Sequence, residues 1–421
     1  MKKILCLLFI GFYSIGFSQF NFTRKDSIKI VHNTDTLANA WSEGFNNPQF
    51  SSLDINQDGI KDVFVFDRSC NEVRTFVYKE VNGILRLIHE PSYEKLFPRD
   101  SMRYRTALVD YNCDGKEDLF TYFIGGIRVF KNTSNPVDGL QWELAYNHIL
   151  SDYNGSYTNA FVSSADIPAI TDVDLDGDID ILSFDVSGEL VHYHKNLAQE
   201  NFNRCDTLVY EVKNYCWGKF REDLSSNTIN LNDTEQPCNG VNQIPDPEKT
   251  GGAHVGSTVL ALDIDASGVM DLVLGDATFN NLVLLTNSGN QVNNNSAMVS
   301  FDVNFPSNTI PADVNTFPAS FYLDLDNDGI KDLVVAPNYK GQSNNVESAW
   351  WYKNNGANNL PDFEFQSTQF LQEEMIDLSF SFVLILKDSF YSFKVVLGVN
   401  SHKLLGRFKI LTIHFMFHFT L

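Results

Sequence analysis

Short runs in which apolar and polar residues alternate, each closing on an aspartate, recur along this chain: FSSLD at 50, TALVD at 106, AITD at 169, VLALD at 259 and SFYLD at 320. After each comes a polar loop and then a denser apolar run: VFVFD at 63, LFTYF at 119, ILSFD at 181, LVLGD at 272 and LVVAP at 333. A third run follows in most units and closes on Lys-Asn or a similar pair: IRVFKN at 127, LVHYHKN at 190, LVLLTN at 282 and AWWYKN at 349. Alternation with β-branched and aromatic residues predicts strands, and the Gly, Asn and Asp clusters between them predict turns. No segment before residue 370 carries a capped apolar period of 3.6 residues, so each unit reads as about four antiparallel strands. The loops begin at positions 54, 110, 172, 263 and 324, intervals of 56, 62, 91 and 61 residues. Four-stranded units repeating near sixty residues predict an all-β fold, the blades of a β-propeller.

The loops themselves carry the chemistry. The first reads Asp54-Ile-Asn56-Gln-Asp58-Gly-Ile-Lys-Asp62, and Asp110, Asn112, Asp114 and Asp118 hold the same places in the second. Asp172, Asp174, Asp176 and Asp180 follow in the third, then Asp263, Asp265, Ser267 and Asp271, then Asp324, Asp326, Asp328 and Asp332. Oxygen side chains at positions 1, 3, 5 and 9, with glycine at 6 to let the chain turn back on itself, suit a hard cation with flexible coordination, which favours Ca2+ over Mg2+. A single such loop is also an ordinary solvated turn. Five copies in register with the same strands argue for metal. By carboxylate count, the loops at Asp172 and Asp324 are the strongest sites and the one holding Ser267 the weakest.

Composition narrows the partners. The chain has 53 acidic against 31 basic residues, a formal charge of -22, which argues against nucleic acid or an anionic membrane surface. Lys2 and Lys3 precede an apolar run from Ile4 to Phe17 with small residues at Gly16 and Ser18, so residues 1–18 are expected to be a cleaved signal peptide and the protein to be secreted or held at the cell surface. Export permits disulfides. Cys70, Cys113, Cys205, Cys216 and Cys238 remain after cleavage, an odd number, and a shared irregular segment favours pairing Cys216 with Cys238.

In these loops and the strand-and-turn pieces around them, such as DLVLGD and WWYKNNG, the chain resembles FG-GAP/VCBS-type repeats of the integrin α propeller, in particular exported Bacteroidetes repeat proteins. The resemblance covers about residues 40–378. It implies a calcium-binding propeller with roles in adhesion, ligand binding or substrate presentation. The Phe-Gly and Gly-Ala-Pro signatures are poorly kept, which leaves blade number open.

Residues 19–378 are thus expected to form the propeller, with an insertion at about 196–252 that either provides a binding face or is a disulfide-pinned loop. Residues 379–421 break the pattern: one acidic residue, Asp388, stands against five basic ones, and no sixth loop arrives near residue 385. A shifted reading frame or truncated product is the leading explanation, with unusual strands or a membrane anchor as alternatives. Lys403, Arg407 and Lys409 interrupt the apolar run of any span. If that tail is foreign, the propeller is expected to be left open, with an exposed strand edge.

Function reads as a non-catalytic module that binds a protein or glycan ligand. The alternative is a secreted glycan-active hydrolase or lyase on the same scaffold, because fold alone does not choose between them. His192, His194, His254 and the Trp350-Trp351-Tyr352 run are the residues outside the loops with catalytic or sugar-stacking potential, and strand packing accounts for them more simply.

Overall fold

Five sheets, each built on four antiparallel strands, account for the repeat in the computed structural model. It describes residues 29–376 apart from 33–34, 224–225, 236, 239–255, 290–295 and 341–345. The expected signal peptide, the tail at 379–421, His254 and residues 239–252 of the insertion lie outside the described residues. Two units separate, Met1–Leu37 and Ala38–Leu421. In the first, Val31–His32 pairs with Asp35–Thr36. All five sheets belong to the second.

Each sheet is a blade. Blade 1 runs Pro48–Leu53, Asp62–Asp67, Glu72–Val81 and Ile84–His89, and blade 2 runs Thr106–Val109, Asp118–Phe123, Gly126–Asn132 and Trp142–Tyr146. Blade 4 runs Ser257–Leu262, Asp271–Asp276, Leu282–Asn287 and Met298–Phe305, and blade 5 runs Pro318–Leu323, Asp332–Pro337, Trp350–Asn354 and Phe363–Ser367. In both, neighbours in sequence are neighbours in the sheet. The second strand of a blade is flanked by strands on both edges and covered by blades on both faces. That explains its dense apolar run: all six residues of Asp62–Asp67 are buried. The outermost strand faces water, as in Trp142–Tyr146, none of whose five residues is buried.

Blade 3 is larger. Its core strands are Ala169–Thr171, Asp180–Phe184, Val191–Asn196 and Tyr210–Asn214, and a hairpin of Leu150–Asp152 and Tyr157–Asn159 extends the outer edge. Leu150–Asp152 joins that edge in parallel with Tyr210–Asn214. The long 91-residue interval is therefore largely structural in its described part. It supplies the outer strand Tyr210–Asn214, and then a hairpin, Phe220–Glu222 with Ile229–Leu231, whose Phe220 packs with Trp217 between blades 3 and 4.

The ring closes. The innermost strands touch in cyclic order, from blade 1 to blade 2 and onward to blade 5, and Pro318–Leu323 returns to Pro48–Leu53. One apolar core fills each gap. Leu53, Phe64 and Leu108 join blades 1 and 2; Phe120, Val129 and Ile181 join 2 and 3; Leu182, Val259 and Leu272 join 3 and 4; Val273, Leu333 and Tyr352 join 4 and 5. The last core brings Phe50, Val65 and Phe76 of blade 1 against Val334, Ala336 and Phe370 of blade 5. Full burial of each such side chain stabilises by about 1.5–3 kcal/mol, so the five gaps are the main source of cohesion. The open array expected from the sequence is therefore corrected: five blades suffice, and the closing contacts use only residues before 377.

Candidate metal loops

Every acidic loop links the innermost strand of its blade to the second, so the five emerge together, and bonds between neighbours confirm their proximity. Lys61 of the first pairs with Glu117 of the second, the Ala266 amide of the fourth donates to Asn359 O of blade 5 at 2.7 Å, and the Tyr78 hydroxyl of blade 1 donates to Leu325 O of the fifth at 2.6 Å. A disulfide joins Cys113 of the second loop to Cys205, beyond the third strand of blade 3.

One backbone conformation serves all five. The carboxylate at position 1 accepts the amides of positions 5 and 6: Asp54 from Asp58 and Gly59 at 3.1 and 2.9 Å, Asp110 from Asp114 and Gly115 at 3.3 and 2.8 Å. Asp172, Asp263 and Asp324 do the same with their own loops. Gly at position 6 has φ between 80° at Gly268 and 100° at Gly177, the left-handed region that a side chain disfavours. Position 4 is also left-handed in every copy, even where it is Leu175 or Ala266, with φ of 59° and 58°. Non-glycine residues in this region cost about 1–2 kcal/mol each, so the turn is imposed by the loop as a whole.

Position 9 is a buried strap. Asp62, Asp118, Asp180 and Asp271 are 0% exposed and Asp332 1%. One carboxylate oxygen accepts the amide of position 2, as from Ile55, Tyr111, Val173 and Ile264 at 2.9–3.2 Å. The other accepts an amide of the third strand, from Tyr78 within it in blade 1 and from its last residue in the others, Asn132, Asn196, Asn287 and Asn354, at 2.7–2.9 Å. Four of these are the asparagines that close the third run in the sequence. Asn132, Asn287 and Asn354 also donate back to the carbonyl of position 8, at 3.0 Å in each case. Burial pushes the strap carboxyls up, to about 6 in Asp62, Asp271 and Asp332 and about 7 in Asp118, against the opposing pull of the two amides; Asp180 rises well above its usual range. A cation beside such a group reverses that push.

The sequence-predicted ligands do converge in three loops. Asp172, Asp174 and Asp180 offer oxygens within 4.8 Å of one another, as do Asp263, Asp265 and Asp271, and Asp324, Asp326 and Asp328. In the fourth loop the buried Ser267 hydroxyl has no hydrogen-bond partner, an oxygen left free where position 5 would bind. Asp174 Oδ1 is likewise buried without a partner. These donor sets are all oxygen and fit a hard divalent cation. In the first two loops an amide side chain stands at position 3: Asn56 donates to Asp58 at 2.8 Å and Asn112 to Asp118 at 2.9 Å.

Sequence reasoning missed four participants. Lys195 binds Asp174, Asp176 and Glu200, the last at 2.6 Å from the short helix Ala198–Phe202. Lys353 likewise bridges Asp326 and Asp328. Asp178, at position 7 of the third loop, is 0% exposed, accepts the Gln199 amide at 2.9 Å and has its other oxygen unpartnered. Lys195 and Lys353 were visible as the Lys of the Lys-Asn pairs; Glu200 had no signal, because only the helix brings it in.

Outside the loops, His192 and His194 are buried with ring centroids 6.2 Å apart, and Ser151 Oγ lies 2.9 Å from His194 Nδ1. Trp351 Nε1 donates to the strap Asp332 at 3.2 Å and Tyr352 is 0% exposed, so this run serves blade 5 packing. Cys216 pairs with Cys238, as the sequence favoured, and Cys70 is an exposed free thiol. Among the described residues no helix is long and apolar enough to cross a membrane.

No protein-family model matches the chain, and no match was found among curated proteins. Among solved structures, it is similar to a lectin of Agrocybe aegerita described as recognising non-reducing terminal N-acetylglucosamine, at 13% identity and TM-score 0.31, over 78% of this chain and 69% of that one. It is also similar to a putative gluconolactonase, at 10% identity and TM-score 0.26 over 77% and 92% of the two chains, and to BBS1N crystallised with ARL6DN, at 8% and 0.27 over 70% and 91%. Likenesses this loose carry no argument about what the chain does.

Proposed function

We propose that this protein is an exported, calcium-stiffened β-propeller that binds a protein or glycan ligand at the cell surface without catalysing a reaction. The observation that supports it most is the fourth loop, where three carboxylates converge within 4.8 Å and the Ser267 hydroxyl is left without a partner. When bound, Ca2+ would supply charge neutralisation and would fasten the first and second strands of a blade. Asp263, Asp265, Ser267 and Asp271 would hold it there. The chain's own contribution is already in place: position 1 folds the turn through two amides, and the strap at position 9 ties the loop to the third strand. A rigid rim of this kind suits ligand recognition by the loops of a propeller face. The imidazoles of His192 and His194 lie in the blade interior, which supports binding over acid–base catalysis.

The test is a thermal melt of the full chain with calcium in excess and with chelator in excess, repeated on Asp265→Asn. Extracellular calcium sites bind at about 10⁻⁴–10⁻³ M, and a ligand at a hundredfold its Kd adds about 2.7 kcal/mol per site. Calcium should raise the melting temperature of the wild type. Asp265→Asn keeps the bond that its Oδ1 accepts from the Ser267 amide at 3.0 Å, so it should melt like the wild type in chelator and gain less from calcium. An absence of any calcium effect on the wild type would sink the reading.

A further inference from the structure

The residue immediately before the strap partner differs from blade to blade: Val77, Lys131, Lys195, Thr286 and Lys353. Where it is lysine, in blades 2, 3 and 5, it sits near the end of the third strand and reaches the loop of its own blade. Lys195 there bridges Asp174 and Asp176, with Glu200 as a third carboxylate 2.6 Å away, and its side chain is 11% exposed. Lys353 bridges Asp326 and Asp328, the latter at 3.1 Å. Lys131 makes only one ion pair, to Asp114 at 3.9 Å, and is 40% exposed. Blades 1 and 4 place an uncharged side chain at this position, so the converging carboxylates of Asp263, Asp265 and Asp271 meet no ammonium from the third strand.

We propose that this lysine is a tethered counter-cation that decides which of the converging loops take up a free divalent ion: Lys195 and Lys353 fill blades 3 and 5, and calcium enters blade 4. The inference rests on the calcium reading of the loops and deepens it. A charge held on the same strand competes at an effective concentration on the order of millimolar, comparable to the calcium that extracellular sites require. The ranking by carboxylate number is thereby reversed. The two loops with four aspartates at positions 1, 3, 5 and 9 are the ones already neutralised, and the loop with Ser267 is open. The identity of one residue on the third strand thus sets the metal occupancy of a loop some twenty residues earlier in the chain.

Calorimetric titration of the full chain with CaCl2 tests this, using Lys195→Thr, Lys353→Thr and Thr286→Lys beside the wild type. Each variant installs a residue that another blade already carries at the same place. Lys353→Thr should gain one calcium site and Thr286→Lys should lose one, with the affinity of blade 4 falling at least about tenfold. Lys195→Thr should behave as Lys353→Thr does. Because Lys195 is buried, that variant is read only if it melts cooperatively, and Lys353→Thr and Thr286→Lys, on more accessible side chains, carry the test alone otherwise. In chelator Lys353→Thr should melt below the wild type, since its carboxylates have lost their cation, and calcium should restore it. If the wild type binds calcium and neither Lys353→Thr nor Thr286→Lys changes the number of sites, the lysine assignment is overturned while the calcium reading stands. If no chain binds calcium, both fall together.

Discussion

The Tyr78 hydroxyl donates to the carbonyl oxygen of Leu325 at 2.6 Å, a bond between residues 247 positions apart that joins the first blade to the last acidic loop. Tyr78 stands where blades 2 to 5 carry Asn132, Asn196, Asn287 and Asn354 as strap partners. Where an asparagine would turn back to its own blade, tyrosine reaches across the closing gap. Tyr78→Phe keeps the ring in the core and leaves the Leu325 carbonyl without this donor. An unmet buried acceptor costs about 1–3 kcal/mol, so urea unfolding should shift by that amount. A variant as stable as the wild type would show that closure relies on the apolar core alone.

The strap aspartate makes a second prediction. Asp271 accepts the amides of Ile264 and Asn287 at 2.9 and 2.7 Å, both in the interior of blade 4. Asp271→Ala strands both donors and should cost about 2–6 kcal/mol, at about 1–3 kcal/mol for each unmet group. Asp271→Asn retains one acceptor and should cost less in chelator, while both variants forfeit the gain from calcium. Denaturant titrations of the two variants with and without metal separate the hydrogen-bonding role from the charge. Equal losses in chelator would remove the strap role argued here.

How much of this was written in the sequence varies with the range of the interaction. The strands, the five loops and the blade architecture all follow from local periodicity, and FSSLD, VFVFD and their counterparts fall on the first and second strands. Ring closure was misread, because it depends on Phe50 and Phe370, 320 residues apart, fitting one another across a gap, which no local pattern reports. The outer strand inside the insertion went unread for a related reason: Tyr210–Asn214 has the alternation of any outer strand, but its place in blade 3 is set by pairing with Val191–Asn196. Within the loops, the oxygen side chains at positions 1, 3, 5 and 9 were legible as residue types. The ion pairs that Lys195 and Lys353 make with them were not, since the sequence shows a Lys-Asn pair without showing where the lysine points.

Acid should unfold the protein in part through its buried imidazoles. Desolvation lowers His194 from its usual value to about 3 and lowers His192 as well, with the Asp185 carboxylate opposing the shift at His192 and the neighbouring His192 adding to it at His194. The unfolded chain therefore takes up protons near pH 6.5 that the folded chain refuses. The stability this provides is complete above the unfolded value and is lost as pH falls from about 6.5 towards the folded values, at up to about 1.4 kcal/mol per pH unit for each histidine. His192→Gln removes one such group. Its stability should fall less steeply than the wild type between pH 6 and 4.5, and parallel curves would contradict the buried neutral state.

The two disulfides should differ in both accessibility and effect. Cys216 and Cys238 are buried together with Leu190, whereas Cys113 lies exposed on the second acidic loop. Reductant should therefore open Cys113–Cys205 first, and alkylation followed by peptide mass analysis should find label at those two residues, and at the exposed free Cys70, before it reaches Cys216 or Cys238. The bond opened first closes the longer loop, a separation of 92 residues against 22. On chain entropy alone its loss costs about 4.5 kcal/mol, against about 3.5 kcal/mol for the other. It also frees the second acidic loop from the segment between the third and outer strands of blade 3. Mild reduction should thus lower the melting temperature while Cys216–Cys238 is still intact. A melt that falls only when Cys216 and Cys238 become labelled would assign the stabilisation to the buried bond and leave the exposed one without a structural role.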